Sequence, residues 1–364
     1  MSAKWWTEAW NPVVGCTPAS AGCDNCYAKR LHDQRRASLL AGKRIPDCYR
    51  QPFEEVTCIP KRLDKPFSWH KPRRMFVNSM SDLFHPDVPD EFLDEVFAVM
   101  AMRPQHTFMV LTKRAEAMRE YIAQRSGQEW RDHLAGVARE HFGSDVAECQ
   151  VHNAIGDVLA AHMNVGWPMR NIWLGVTAEN QEQADRRIPV LLDTPAAKRF
   201  VSIEPMLWPV DLGRYLRPGG PSCPHVDSED GTCSHDDAMT PECHPGSDCP
   251  MRNGRHLDWV ICGGETGNGA RPVDPSWPRT LRDQCQATSV PFYFKQWGDL
   301  VWTPVPAGIQ KGKAVFCHFR KNFIGLDDSI GSEHNPDGFY ASLLRRSGRI
   351  LDGREHLEIP GVAS

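Results

Sequence analysis

Six short apolar runs, each leading at once into polar or charged residues, constrain this chain more than any other feature. They are MFVNS from Met75, TFMVL from Thr107, IWLGV from Ile172, RFVSI from Arg199, WVICG from Trp259 and PFYFK from Pro291. Near-continuous apolar character over about five residues is the pattern of strands buried on both faces, as in parallel sheets covered by helices. Helix-like stretches lie between several of the runs. In PDEFLDEVFAVMAMRP, Leu93, Val96, Phe97 and Met100 recur at i, i+3, i+4 and i+7; Pro89 and Asp90 suit its start, and Pro104 lies beyond its end. The alternation predicts an α/β fold, a partial or full (β/α) barrel of parallel strands.

The polar ends of the runs point to a site. They are NSMSD, TKR, TAEN, EP, GGETG and KQWG. Carboxyl ends of parallel strands converge on one mouth, where barrel enzymes place their chemistry. Six ends carrying Asp, Lys, Arg, Glu and Gln therefore predict an active site there. Lys113 and Arg114 suit an anionic group or the barrel's own carboxylates.

Two stretches break the rhythm. Residues 115–170 hold a longer helical segment than one βα unit needs, and residues 217–257 read as a Cys/His-rich inserted lobe without apolar period. The expected organisation is a barrel over residues 1–298 carrying both insertions, then a tail over 299–364 with a hairpin around LLRRSGRILDGREH. The net charge of −4 is no general nucleic-acid footprint. It is uneven, however: residues 218–256 carry −5, leaving +1 for the rest. KRLHDQRR and HKPRR are candidates for a local basic groove or for solvated faces.

No run of about 18 apolar residues occurs, so no membrane span is expected. MSAKWWTEAW lacks the apolar core of a signal peptide. A reducing cytoplasm is the expected compartment, and there thirteen cysteines suggest metal, cluster or buried thiols before disulfides. In GCTPASAGCDNCYA, Cys16, Cys23 and Cys26 stand in the spacing C-x6-C-x2-C. Three thiolates can hold three corners of a four-iron cubane and leave the fourth iron open. A zinc knuckle that borrows a distant His or Cys, or plain buried thiols, fits the same spacing. A second set, Cys223, Cys233, Cys243 and Cys249, has His225, His235 and His244 close by. In a segment with little apolar surface, it reads as a metal staple of zinc or, second, an auxiliary iron–sulfur cluster, with free thiols as the alternative. Cys48, Cys58, Cys149, Cys262, Cys285 and Cys317 read as isolated or buried.

Taken together, WNPVVGCTPASAGCDNCYAKR, FVNSMSDLFHPDVP, FMVLTKR, IWLGVTAENQEQADRRIPVLL, RFVSIEPML, WVICGGETGNGARPVDPSW and VPFYFKQWG resemble a phage-associated family within or close to the radical S-adenosylmethionine (radical SAM) superfamily. The first cysteine gap is longer than the superfamily's usual C-x3-C-x2-C. The resemblance implies a radical SAM-type barrel with a [4Fe–4S] cluster on Cys16, Cys23 and Cys26, and SAM at the open iron. Reductive cleavage of SAM would give a 5′-deoxyadenosyl radical that abstracts a substrate hydrogen. Carried over by position, Ser79, Ser81 and Asp82 would meet the SAM amino group, and Glu179, Asn180 and Glu204 its ribose. Glu265, Lys295 and Gln296 would face the SAM carboxylate or the substrate. The implied partners are a one-electron donor such as a flavodoxin or ferredoxin and a nucleotide or DNA-base substrate, in the cytoplasm of a bacterial host if the protein is phage-encoded. The competing expectation is a non-catalytic zinc- or cluster-binding barrel that docks a ligand or partner.

Overall fold

The computed structural model describes residues 4–125, 133–134, 136–140, 168–216, 255–304, 339–343 and 349–361. After strand β1 (Glu8–Trp10) the chain forms a small antiparallel pair, β2 (Val13–Val14) with β3 (Thr57–Cys58), and helix α1 (Tyr27–Leu40) lies between these two in sequence. The βα rhythm comes next: β4 (Arg74–Val77), α2 (Asp90–Met102), β5 (Thr107–Thr112), α3 (Ala115–Ala123), β6 (Ile172–Thr177), α4 (Gln181–Asp193), β7 (Lys198–Ile203), β8 (Trp259–Gly263), α5 (Ser276–Ala287) and β9 (Phe292–Gln296). Strands β1 and β4–β9 form one seven-stranded sheet, parallel throughout and in chain order, curled into a half-barrel. The mixed α/β class and parallel sheet match the sequence reading, and the barrel is the partial one.

Both faces of the sheet are covered, which explains why its strands read as unbroken apolar runs. Phe108, Val110, Ile172, Leu174, Val176, Val201, Ile203, Val260 and Phe292 pack into the larger core, with the buried faces of the helices. The alternate positions, Phe76, Met109, Trp173, Phe200, Trp259, Ile261 and Tyr293, form a second cluster on the concave side, joined by Trp5 and Ile359. Period-two alternation separates the two sets. Gly175 is required here: a Cβ would lie 2.5 Å from the Phe200 ring, so its absence lets that ring cross the interior. Each large side chain removed from water contributes about 1.5–3 kcal/mol. Together these side chains form an aromatic floor to the half-barrel.

Strand β1 is the seventh strand, absent from the six apolar runs. It is three residues long and begins with Glu8, too short for an apolar-run signal. At the other edge, Tyr293 pairs with Leu357 in an isolated antiparallel bridge, and the Phe294 N–H donates to the His356 carbonyl at 2.8 Å. The indole N–H of Trp259 donates to the Glu358 carbonyl. Strands β10 (Leu300–Pro304) and β11 (Phe339–Leu343) pair antiparallel, and β12 (Ile350–Leu351) and β13 (Arg354–Glu355) form a hairpin. Its turn residues Asp352 and Gly353 both have positive φ, as an Asp-Gly type I′ turn requires. No helix among the described residues is long and apolar enough to cross a membrane. Cys223, Cys233, Cys243 and Cys249 lie outside the described residues, as does most of the 115–170 insertion.

Candidate functional site: a cysteine loop across the half-barrel mouth

The loop bearing Cys16, Cys23 and Cys26 lies over the carboxyl ends of the strands. Gly15, at φ 97°, makes a parallel bridge to Ser81. A Cβ there would sit 2.6 Å from the Glu55 carbonyl oxygen, so the chain passes only as glycine. The Cys16 N–H donates to the Phe53 carbonyl at 2.8 Å. A 3-10 turn over Ala21–Cys23 presents the second cysteine, and Cys26 caps the start of α1. All three thiols are free and half-buried.

Three strand-end carboxylates, each paired with an arginine, hold this loop. Asp82, beyond β4, accepts from Arg114 Nη1 at 3.1 Å, while Arg114 Nη2 donates to the Thr17 carbonyl at 3.0 Å and its hydroxyl at 3.2 Å. Asp82 also accepts from the Thr112 hydroxyl at 2.6 Å and from the Phe84 and Lys113 N–H groups. Glu179, beyond β6, is fully buried; it accepts from Arg187 Nη1 at 3.0 Å and from the Gly22 N–H at 3.1 Å. Glu265, beyond β8, accepts from Arg271 Nη2 at 2.6 Å, Arg271 Nε at 3.0 Å, the Arg271 N–H at 2.8 Å and Asn25 Nδ2 at 3.0 Å. Arg271 reaches on to the Ala21 carbonyl at 2.9 Å and Asp24 at 3.1 Å.

Glu204, beyond β7, differs. Its ion pair is with Lys295 of β9, at 2.5 Å, and the two side chains keep 19% and 25% of their exposure. Lys295 Nζ also lies 5.6 Å from the ring centre of Trp6, against the aromatic floor. Gln296 donates weakly to the Gly264 carbonyl at 3.5 Å.

Other residues singled out by sequence have local duties. The Ser79 hydroxyl donates to Asn11 Oδ1 and the Ser81 hydroxyl to the Val13 carbonyl, both at 3.0 Å, fastening the β1–β2 turn to the end of β4. Asn180 is the N-cap of α4, its Oδ1 accepting from the Gln183 N–H at 2.9 Å. Arg114, Arg187, Arg271, Asn25, Thr17 and His85 complete the site. Of these, the sequence reading names only Arg114. The His85 Nδ1 accepts from the Asp87 N–H, so Nε2 carries the proton and donates to the Thr17 hydroxyl at 2.8 Å. Burial, together with Arg114, lowers the tendency of His85 to protonate.

The thiols differ electrostatically. Burial and the Asp82 charge push the Cys16 thiol up to about 11, despite Arg114 Nη1 at 3.7 Å. Burial also acts against ionisation of Cys23, but Lys113 Nζ at 3.5 Å and the Ala19 N–H at 3.4 Å outweigh it and bring this thiol below its ordinary value. The carboxyls of Glu179 and Glu265 are likewise below theirs: burial opposes ionisation, and Lys113 with Arg187 in one case, and Arg271 in the other, more than offset it.

The donor chemistry fits an iron–sulfur cluster. Three soft sulfur donors share one mouth, and two of them lie beside a cation that compensates thiolate charge. Among the described residues, no three His, Cys, Asp or Glu side chains are arranged to hold a single metal ion. No curated protein and no solved structure matches the chain. A family model described as "Protein of unknown function (DUF5131)" matches residues 1–360, and the chain belongs to that family.

Proposed function

We propose that this protein is a radical SAM enzyme that acts on a nucleobase, a nucleotide or a base in DNA. The observation that carries the reading is the loop of three cysteines fastened over the mouth of a parallel half-barrel, with Lys113 and Arg114 against two of the sulfurs. A [4Fe–4S] cluster bound there would supply the electron for reductive cleavage of SAM. The chain's own residues bind, orient and exclude water. Cys16, Cys23 and Cys26 would hold the cluster. The three carboxylate–arginine pairs fix the loop on which the ligands sit. Glu204 and Lys295, of opposite charge and open to the interior, suit the polar groups of SAM or substrate, with Gln296 beside them on β9. The aromatic floor keeps the reacting space dry from below. The nucleic-acid substrate class rests on the resemblance to a phage-associated family.

The test is anaerobic reconstitution with iron and sulfide, then assay for 5′-deoxyadenosine with SAM, dithionite and candidate nucleosides or DNA. The expected result is a brown protein with about four irons and four sulfides per chain, and SAM cleavage that disappears in Cys23→Ala. A colourless protein that takes up only zinc would replace this reading with a non-catalytic metal-binding barrel.

A further inference from the structure

Lys113 and Arg114 come directly after β5, and as neighbours in sequence they reach different cysteines. Lys113 Nζ stands 3.5 Å from Cys23 Sγ, and Arg114 Nη1 stands 3.7 Å from Cys16 Sγ. The two cations are held differently. Arg114 is pinned by Asp82 and by both oxygens of Thr17, so part of its charge is neutralised by the Asp82 carboxylate beside it. Lys113 approaches through the gap at Gly22, where a Cβ would lie 2.8 Å from Nζ and 3.1 Å from the Glu179 carboxyl carbon. A Cβ at position 22 would force the ammonium to shift. Glu179 is shared between two cations, Lys113 and Arg187, whereas Asp82 is bonded to one, Arg114.

Reduction potentials of iron–sulfur clusters depend on net charge, hydrogen bonds to the sulfurs and exposure. A cation fixed beside a ligand sulfur favours the more negative, reduced state and so raises the potential. Resting on the proposed cluster reading, we infer that Lys113 is the residue that sets the potential of the cluster, through its charge at Cys23, while Arg114 chiefly positions Cys16. The electron would come from a one-electron donor of the dithionite or flavodoxin class, and a bound cluster would take it up in passing from its 2+ to its 1+ state, with no bond made or broken.

The experiment is a potentiometric titration of the reconstituted full chain, monitored by the spin signal of the reduced state, with no SAM present. Lys113→Met should keep the iron content and visible spectrum of the parent while its equilibrium for one-electron reduction falls about tenfold, a shift of about 59 mV to more negative potential. Lys113→Arg should restore most of that shift. Arg114→Gln should instead lower iron retention. A Lys113→Met protein with full iron and an unmoved potential overturns the inference and leaves the cluster reading intact. Failure of the parent protein to form any cluster overturns both. Should Lys113→Met lose iron, Lys113→Gln offers a second route: it removes the charge but keeps a polar side chain, it must lower the potential, and an unmoved potential there also overturns the inference.

Discussion

Glu179 and Glu204 stand at the ends of neighbouring strands, and the sequence reading assigns both to the same ribose, yet the structure uses them in opposite ways. Glu179 is fully buried, with one oxygen on Arg187 and the other on the Gly22 N–H of the cysteine loop. Glu204 keeps a fifth of its exposure and is paired with Lys295 across the interior. The difference lies in what each carboxylate faces. A charge with no access to water must have its acceptor sites filled by protein, and once filled it is a structural anchor. A pair that remains partly hydrated can exchange its partner for a ligand at little cost. Asp82 and Glu265 belong with Glu179, and Glu204 stands apart.

The largest effect that would test this division is on stability. Glu179→Ala should cost about 3–5 kcal/mol, because it leaves the buried Arg187 with the Thr177 carbonyl but without its counter-charge, and it should free the Gly22 segment of the loop. Urea denaturation together with amide exchange across residues 19–26 would show both. An unchanged denaturation midpoint would place Glu179 with Glu204.

Acid should act in the same direction. The folded-state values of Glu179 and Glu265 lie below the ordinary 4.5. Their contribution is therefore complete above that pH and is lost as pH falls below it through the folded values. The denaturation midpoint should decline on acidification below about 4.5, and the decline should be shallower in Glu265→Gln. Equal slopes in the two proteins would show that Glu265 gains nothing from its arginine.

The smallest stability effect belongs to Glu204→Gln, at most about 1 kcal/mol for a partly exposed pair. Its affinity for SAM should nevertheless fall about ten- to a hundred-fold, the loss of one hydrogen bond to a charged group. Calorimetric titration of the reconstituted protein reads this. Normal SAM binding with a large loss of stability would invert the comparison.

The strand ends are legible in the sequence because a buried parallel strand that stops being apolar must stop at a surface or a site. That logic finds Asp82, Glu179, Glu204 and Glu265, since each lies just beyond its strand. It does not tell an anchored carboxylate from an available one, because the deciding partners come from distant positions. Arg271 sits in an irregular loop with no periodic signal. Arg187 does leave a trace: in α4 it shares the buried stripe with Ala184, Ile188 and Leu191, and an arginine at such a position requires a buried acid. Asn180, three residues before Gln183, has the sequence pattern of a helix N-cap, which is what it is. Strand β1 is hidden because its pairing with β4, Glu8 to Met75 through Trp10 to Val77, is a long-range event with almost no local signature.

The aromatic floor has a consequence for biosynthesis. Trp5 and Ile359 belong to one packed cluster, so its first and last members are synthesised more than three hundred residues apart. The earlier-made members, Phe76, Met109, Trp173, Phe200 and Trp259, must wait on the ribosome without the segment that seals them. Such long-range closure makes for slow folding and prolongs the exposure of sticky surface. Docking of the residues around Ile359 is thus the last event that can complete this cluster.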